Sequence, residues 1–100
     1  MQTNSFAEIS AAALQSQAAT ARDAGFVQLS HNFLRATELT AVPDNEILAM
    51  YELLRPGRST HAELCTIADK LELIYGAQET AAFVRDAAAQ YLRRNLFRRL

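Results

Sequence analysis

The 100-residue sequence predicts an all-α protein, folded as a compact bundle of about four to five helices joined by short loops. Apolar residues recur at spacings of three and four, and alternating runs of β-branched residues are absent. Alanine, the strongest helix former, supplies 19 of the residues but buries little apolar surface. We therefore expect good helices in a single domain over residues 1–100, with a modest core that completes its packing against a partner.

Two helices are predicted in the first part of the chain. Asn4 or Ser5 can cap the first, which runs toward Ala24 and ends at Gly25, where a left-handed backbone is tolerated. The second helix spans about residues 26–40. Its predicted apolar stripe consists of Phe26, Leu29, Phe33 and Thr37, with Leu34 beside it.

The third helix is predicted to begin at Pro43 or Asp44. Proline suits this position because it has no amide hydrogen to satisfy, and Asp44 can cap the N-terminus and favour its positive dipole end. Pro56 disfavours the α conformation at Arg55, and Gly57 permits a tight turn, so the helix should end near residue 54. Its predicted apolar stripe is Ile47, Leu48, Tyr51 and Leu54.

The last two helices have the clearest patterns. Thr60 and Glu63 can form a capping box at the start of the fourth, which Gly76 closes. Its predicted face is Leu64, Ile67, Ala68, Leu71, Ile74 and Tyr75. The fifth runs from about Gln78 into the 90s, with a predicted face of Phe83, Val84, Ala87, Ala88, Tyr91 and Leu92.

Charge and composition exclude several classes of protein. The formal net charge of −1 creates no strong field toward nucleic acid or an anionic membrane. The single cysteine cannot form an internal disulfide, and no hydrophobic run is long enough to cross a bilayer. These features predict a soluble cytoplasmic protein without a membrane partner.

No group of residues predicts catalysis, cofactor binding or a metal site. His61 and Cys65 are four apart on one helix, but a structural zinc ion needs about four ligands and the chain has one other histidine and no second cysteine. The carboxylates are scattered over faces that are expected to be solvated, and the three glycines stand apart rather than in a phosphate-binding loop.

A partner interface is the remaining candidate site. Arg55 and Arg58 lie on a short loop between two helices, and Leu96 and Phe97 lie in an arginine-rich end with Arg93, Arg94, Arg98 and Arg99. The alternatives are that the loop arginines are solvated or cap carbonyls, and that the others complement a helix dipole. Without a wider basic face, we do not expect nucleic-acid binding.

Many short motifs follow one another along this chain in an order that is typical of one family. They lie at residues 39–44, 47–48, 51, 54–56, 58–60, 63–64, 67–69, 71–72, 75 and 81–85. Over about residues 9–92, the chain resembles the small (γ) subunit of coenzyme B12-dependent diol and glycerol dehydratases. Family members usually carry a further N-terminal segment, which we expect this chain to lack.

The resemblance implies a non-catalytic subunit that supports a large catalytic chain. In that family a large (α), a medium (β) and a small subunit assemble as a dimer of heterotrimers. Adenosylcobalamin lies between the large and medium subunits, and the reaction converts 1,2-propanediol or glycerol to the aldehyde. The resemblance adds a bacterial microcompartment as a location. The alternative function is a free-standing helical adaptor without dehydratase activity.

Overall fold

The computed structural model describes residues 5–98, with side chains described from Ser10 onward. Five α-helices and no strand occur in this range, which confirms the all-α class. The helices are α1 (Ser5–Asp23), α2 (Val27–Leu39), α3 (Asp44–Leu53), α4 (His61–Tyr75) and α5 (Gln78–Arg94). Asn4, one of the two predicted first caps, and Arg99 lie outside the described residues.

Two units divide the chain, Met1–Val42 and Pro43–Leu100. The first contains α1 and α2, and the second contains α3, α4 and α5. The assignment of residues 1–100 to one domain stays a prediction. No helix within residues 5–98 combines the length and the apolar character that a bilayer-crossing segment needs.

In the first unit, α1 and α2 pack through very small side chains. Gly25 has φ +87° in the turn between them, as its predicted role at the end of α1 requires. Ala18, Ala21 and Ser30 are buried, and the Ser30 hydroxyl donates a hydrogen bond of 2.8 Å to the carbonyl oxygen of Ala18. The predicted α2 stripe is partly wrong: Phe26 and Leu29 are exposed, because the close contact between the helices accepts a serine instead.

In the second unit, α4 and α5 form the main apolar core. Its buried members are Leu64, Ala68 and Leu71 of α4, Ala77 in the connection, and Ala81, Val84 and Ala88 of α5. The predicted capping box is confirmed: the Thr60 amide donates to Glu63 Oε1 at 2.9 Å, and the Glu63 amide donates to Thr60 Oγ1 at 3.2 Å. Gly76 ends α4 with φ +64°.

The predicted faces of α4 and α5 are too wide at their edges. Ile74, Phe83 and Leu92 are exposed, whereas the leucines, valine and alanines at the centre of the two faces are buried. Most buried members of this contact are alanines, and small side chains permit a short distance between helix axes. Larger side chains at its margins therefore remain in solvent.

The third helix corrects two predictions. It begins at Asp44, but Pro43 occupies the capping position and no side chain caps the helix, so Asp44 is a first-turn acid rather than a cap. Leu48 and Tyr51 of the predicted stripe are 68% and 54% exposed, whereas Met50 is 3% exposed. The face toward α4 runs through Glu46 and Met50, and the sequence pattern missed it because Glu46 is charged.

Candidate partner-binding surface

The loop at residues 55–59 is tied to the end of α3. Gly57 has φ +80°, a conformation that favours glycine, and so makes the turn that the sequence predicts. Ser59 is buried, and its hydroxyl donates a hydrogen bond of 2.7 Å to the carbonyl oxygen of Leu53. These contacts set the direction in which the loop leaves the helix.

Two backbone hydrogen bonds join this loop to the segment after α5. The Gly57 amide donates to the Leu96 carbonyl oxygen at 2.7 Å, and the Arg98 amide donates to the Ser59 carbonyl oxygen at 2.7 Å. Asn95 makes this possible, because its left-handed conformation (φ +56°) ends α5 and turns the chain. We call loop 55–59 together with segment 96–98 the arginine corner, and it contains all four residues of the predicted interface.

The arginines of the corner pair with glutamates of the same unit. Arg55 Nη1 lies 3.1 Å from Glu52 Oε1, and Arg58 Nη1 lies 3.7 Å from Glu52 Oε2. Arg98 Nη1 lies 3.6 Å from Glu63 Oε1. About half of each arginine side chain is exposed, and surface pairs of this kind contribute at most about 1 kcal/mol. The arginines are therefore fixed only weakly within the unit.

Phe97 lies against two other rings. Its centroid is 5.7 Å from that of His61 and 5.8 Å from that of Tyr91, both in edge-to-face arrangements. The Tyr91 hydroxyl donates to the carbonyl oxygen of Leu54, which joins α5 to the end of α3. Leu96 and Phe97 are half-buried, so part of each side chain is used in the packing of this unit.

The other sequence candidate, His61 with Cys65, forms a weak pair. Cys65 Sγ lies 3.6 Å from His61 Nδ1, on the half-exposed side of α4. Within residues 5–98, no group of three or more His, Cys, Asp or Glu side chains is arranged to hold a metal ion.

A polar cluster between α3 and α4 was missed by the sequence analysis. Lys70 Nζ lies 2.6 Å from Glu46 Oε1, and the Tyr75 hydroxyl donates to Glu46 Oε2. The hydrogen bonds from Lys70 and then Tyr75 lower the pKa of Glu46, and the bonds to Glu46 raise the pKa values of Lys70 and Tyr75. No sequence signal could have found this cluster, because Glu46 lies on a different helix from Lys70 and Tyr75.

Two clefts border the packed helices. One, of about 90 Å³, lies beside Glu46, Met50 and Tyr75, and the other, of about 210 Å³, lies between α1 and α2. Pockets for small organic ligands usually measure about 300–1,000 Å³. Neither cleft therefore fits adenosylcobalamin, which is the group that the resemblance implies for the complex.

Comparison with known proteins places the chain in a family. Residues 3–98 match the model of the dehydratase small subunit. The chain is 58% identical over 81 residues to a propanediol dehydratase small subunit from Citrobacter freundii, and 57% identical over 81 residues to one from Salmonella typhimurium. In both cases the alignment covers 81% of this chain and 47% of the relative, so the chain spans about half the length of the curated relatives it matches. On the match across residues 3–98, the chain belongs to the dehydratase small subunit family.

Proposed function

We propose that this chain is the non-catalytic small subunit of an adenosylcobalamin-dependent diol dehydratase that converts 1,2-propanediol or glycerol to the aldehyde. The observation that carries the proposal is the family match across residues 3–98. Two relatives named as propanediol dehydratase small subunits, at 58% and 57% identity, favour 1,2-propanediol as the substrate.

The proposed partners are the large (α) and medium (β) subunits, in a dimer of heterotrimers. Exposed large apolar side chains support this assembly, because a partner surface can bury them. In the second unit these side chains include Leu48, Tyr51, Leu73, Ile74 and Leu92, with exposed fractions between 54% and 82%. Phe26 and Val27 are similarly exposed in the first unit.

The non-catalytic role is supported by the state of the polar groups. Glu46 pairs with Lys70 and Tyr75, and these partners lower its pKa, whereas a general acid or base near neutral pH needs a raised carboxyl pKa. The small clefts support the proposal that other chains hold adenosylcobalamin. We place the assembled enzyme in the cytoplasm, where a bacterial microcompartment is the finer location that the resemblance adds.

Co-expression tests the proposal directly. The tagged chain is expressed with a large and a medium dehydratase chain, purified through the tag, and assayed for aldehyde formation with and without adenosylcobalamin. We expect co-purification of all three chains and cobalamin-dependent activity that falls when this chain is omitted. If this chain purifies alone, and the large and medium chains are fully active without it, the result would instead support a free-standing adaptor.

A further inference from the structure

We propose that the arginine corner, together with the adjoining end of α5, docks on an acidic surface of another subunit, where Arg55 and Arg58 clamp a carboxylate. This inference rests on the proposed function, because the partner is another chain of the same complex. It goes further by naming the residues of the contact and the chemistry of the surface that they bind.

Positive charge collects at one end of the second unit. The end of α3, the start of α4 and the end of α5 meet here, because the two backbone hydrogen bonds of the corner join them. Among the described residues, this end carries five arginines and two glutamates, a formal excess of three positive charges. The arginines are Arg55, Arg58, Arg93, Arg94 and Arg98, and the glutamates are Glu52 and Glu63.

The geometry around Glu52 shows how two guanidinium groups hold one carboxylate. Arg55 approaches one carboxylate oxygen at 3.1 Å, and Arg58 approaches the other at 3.7 Å. The second distance is too long for a hydrogen bond, and each guanidinium has five N–H donors. Donors therefore remain for a carboxylate of the partner, which would be held from two sides as Glu52 is.

The corner is also ordered before any partner binds. The Gly57 amide, the Arg98 amide and the Ser59 hydroxyl each donate a hydrogen bond of 2.7 Å to a backbone carbonyl oxygen. The guanidinium groups nevertheless remain about half exposed. Docking therefore has to order the arginine side chains but not the backbone that carries them, which reduces the entropic cost of forming the charged contacts.

Two alternative roles for the arginines predict different behaviour. Arg93 and Arg94 in the last turn of α5 complement the negative end of the helix, a role that affects stability rather than binding. A nucleic-acid site requires basic residues along a wider face. Away from the corner, α4 carries acids such as Asp69 and Glu72, which already pair with Arg85. The basic residues therefore do not continue along a wider face, and the geometry favours an acidic protein surface as the partner.

The test compares two double variants with the same change in charge. Arg55→Gln/Arg58→Gln removes the clamp, and Arg22→Gln/Arg35→Gln removes two arginines from the first unit. Affinity for the purified large–medium complex is measured by calorimetry at low and high salt, with circular dichroism on each variant. We expect the first variant to bind at least about tenfold more weakly at low salt, and the second to bind like the wild type.

The outcomes separate this inference from the proposed function. A wild-type chain that does not bind the large–medium complex contradicts the proposed function. If the wild type binds and the folded Arg55→Gln/Arg58→Gln variant binds with the same affinity, the proposed clamp is wrong but the proposed function is not contradicted. If that variant does not fold, Arg55→Lys/Arg58→Lys keeps the charge but loses two-sided pairing, and equal affinity in this variant also overturns the clamp.

Two further measurements sharpen the result. Glu52→Gln removes the internal competitor, so we expect binding as tight as that of the wild type or tighter. Weakening as large as in the arginine variant would overturn the inference. Gel shifts with duplex DNA and single-stranded RNA should show no arginine-dependent band at physiological salt, and such a band would reassign the corner to nucleic acid.

Discussion

Helices α3 and α5 both lie beside α4, but different forces hold them. The α4–α5 contact buries Leu64, Ala68, Leu71, Val84 and Ala88, each at most 5% exposed. In α3 the one buried apolar side chain described is Met50, and polar groups act at both ends. Glu46 contacts Lys70 and Tyr75 near the start of α3, and Tyr91 and Ser59 donate to the Leu54 and Leu53 carbonyl oxygens at its end.

This difference shows how a small alanine-rich unit can attach a third helix. Burial of apolar surface contributes about 25 cal/mol per Å² and depends little on direction. Hydrogen bonds contribute only about 0.5–1.5 kcal/mol each but require well-defined positions. We therefore expect the α4–α5 contact to account for most of the stability of the unit, and the polar contacts to set the orientation of α3.

The largest effect should come from the α4–α5 core. Leu71→Ala should lower the free energy of unfolding by about 2–5 kcal/mol, because it removes a buried leucine and leaves a cavity. Cys65→Ser, on the half-exposed side of the same helix, should change it far less. Urea unfolding of both variants measures the difference. Equal free energies of unfolding for Leu71→Ala and the wild type would show that the buried face is assigned incorrectly.

The apolar contact of α3 should matter next. Met50→Ala should cost about 2 kcal/mol, near the lower end for core truncations, because Met50 already borders a cleft of about 90 Å³. Leu48→Ala is the control, since Leu48 is 68% exposed on the same helix. A larger loss for Leu48→Ala in thermal unfolding would place the contact face of α3 on the stripe that the sequence predicts.

The hydrogen bond at the end of α3 should have a smaller effect. Tyr91→Phe keeps the ring against Phe97 but removes the donor to the Leu54 carbonyl oxygen, and should cost about 1 kcal/mol. Hydrogen exchange should be faster at the last amides of α3 and unchanged in the middle of α4. Uniform acceleration over the whole unit would contradict a local role for this bond.

The smallest effect should depend on pH. The folded-state pKa of Glu46 is lowered, so the carboxylate stabilises the fold above its unfolded pKa of about 4.3, and this contribution is lost as the pH falls through the lower folded value. Lys70 and Tyr75 have raised pKa values, so their contributions are present below their unfolded values of about 10 and are lost at higher pH.

Glu46→Gln tests this dependence against a matched control. The variant should melt below the wild type at pH 7, and the two melting temperatures should converge as the pH is lowered toward about 2. Asp86→Asn on the exposed side of α5 should show a smaller difference at pH 7. If the difference in melting temperature between Glu46→Gln and the wild type is the same at both pH values, the charge of Glu46 does not contribute to stability.

Local sequence determined the helices and their ends. The start of α4 is set by Thr60 with Glu63, and its end by Gly76 at φ +64°. Each acts on neighbours within one turn, so a short stretch of chain is enough to fix these helix ends. The same holds for the turn at Gly57. The resemblance to dehydratase small subunits, which the family match confirms, also rests on short motifs in order.

Tertiary structure decided which face of α3 is buried and where the site residues meet. Glu46 is charged and Ser30 is polar, so apolar periodicity could not place either at a helix contact. Only the folded chain brings Lys70 and Tyr75 to Glu46, and segment 96–98 to loop 55–59. Caps and turns depend on residues three or four apart, whereas these contacts join distant parts of the chain and depend on how the helices of the unit pack.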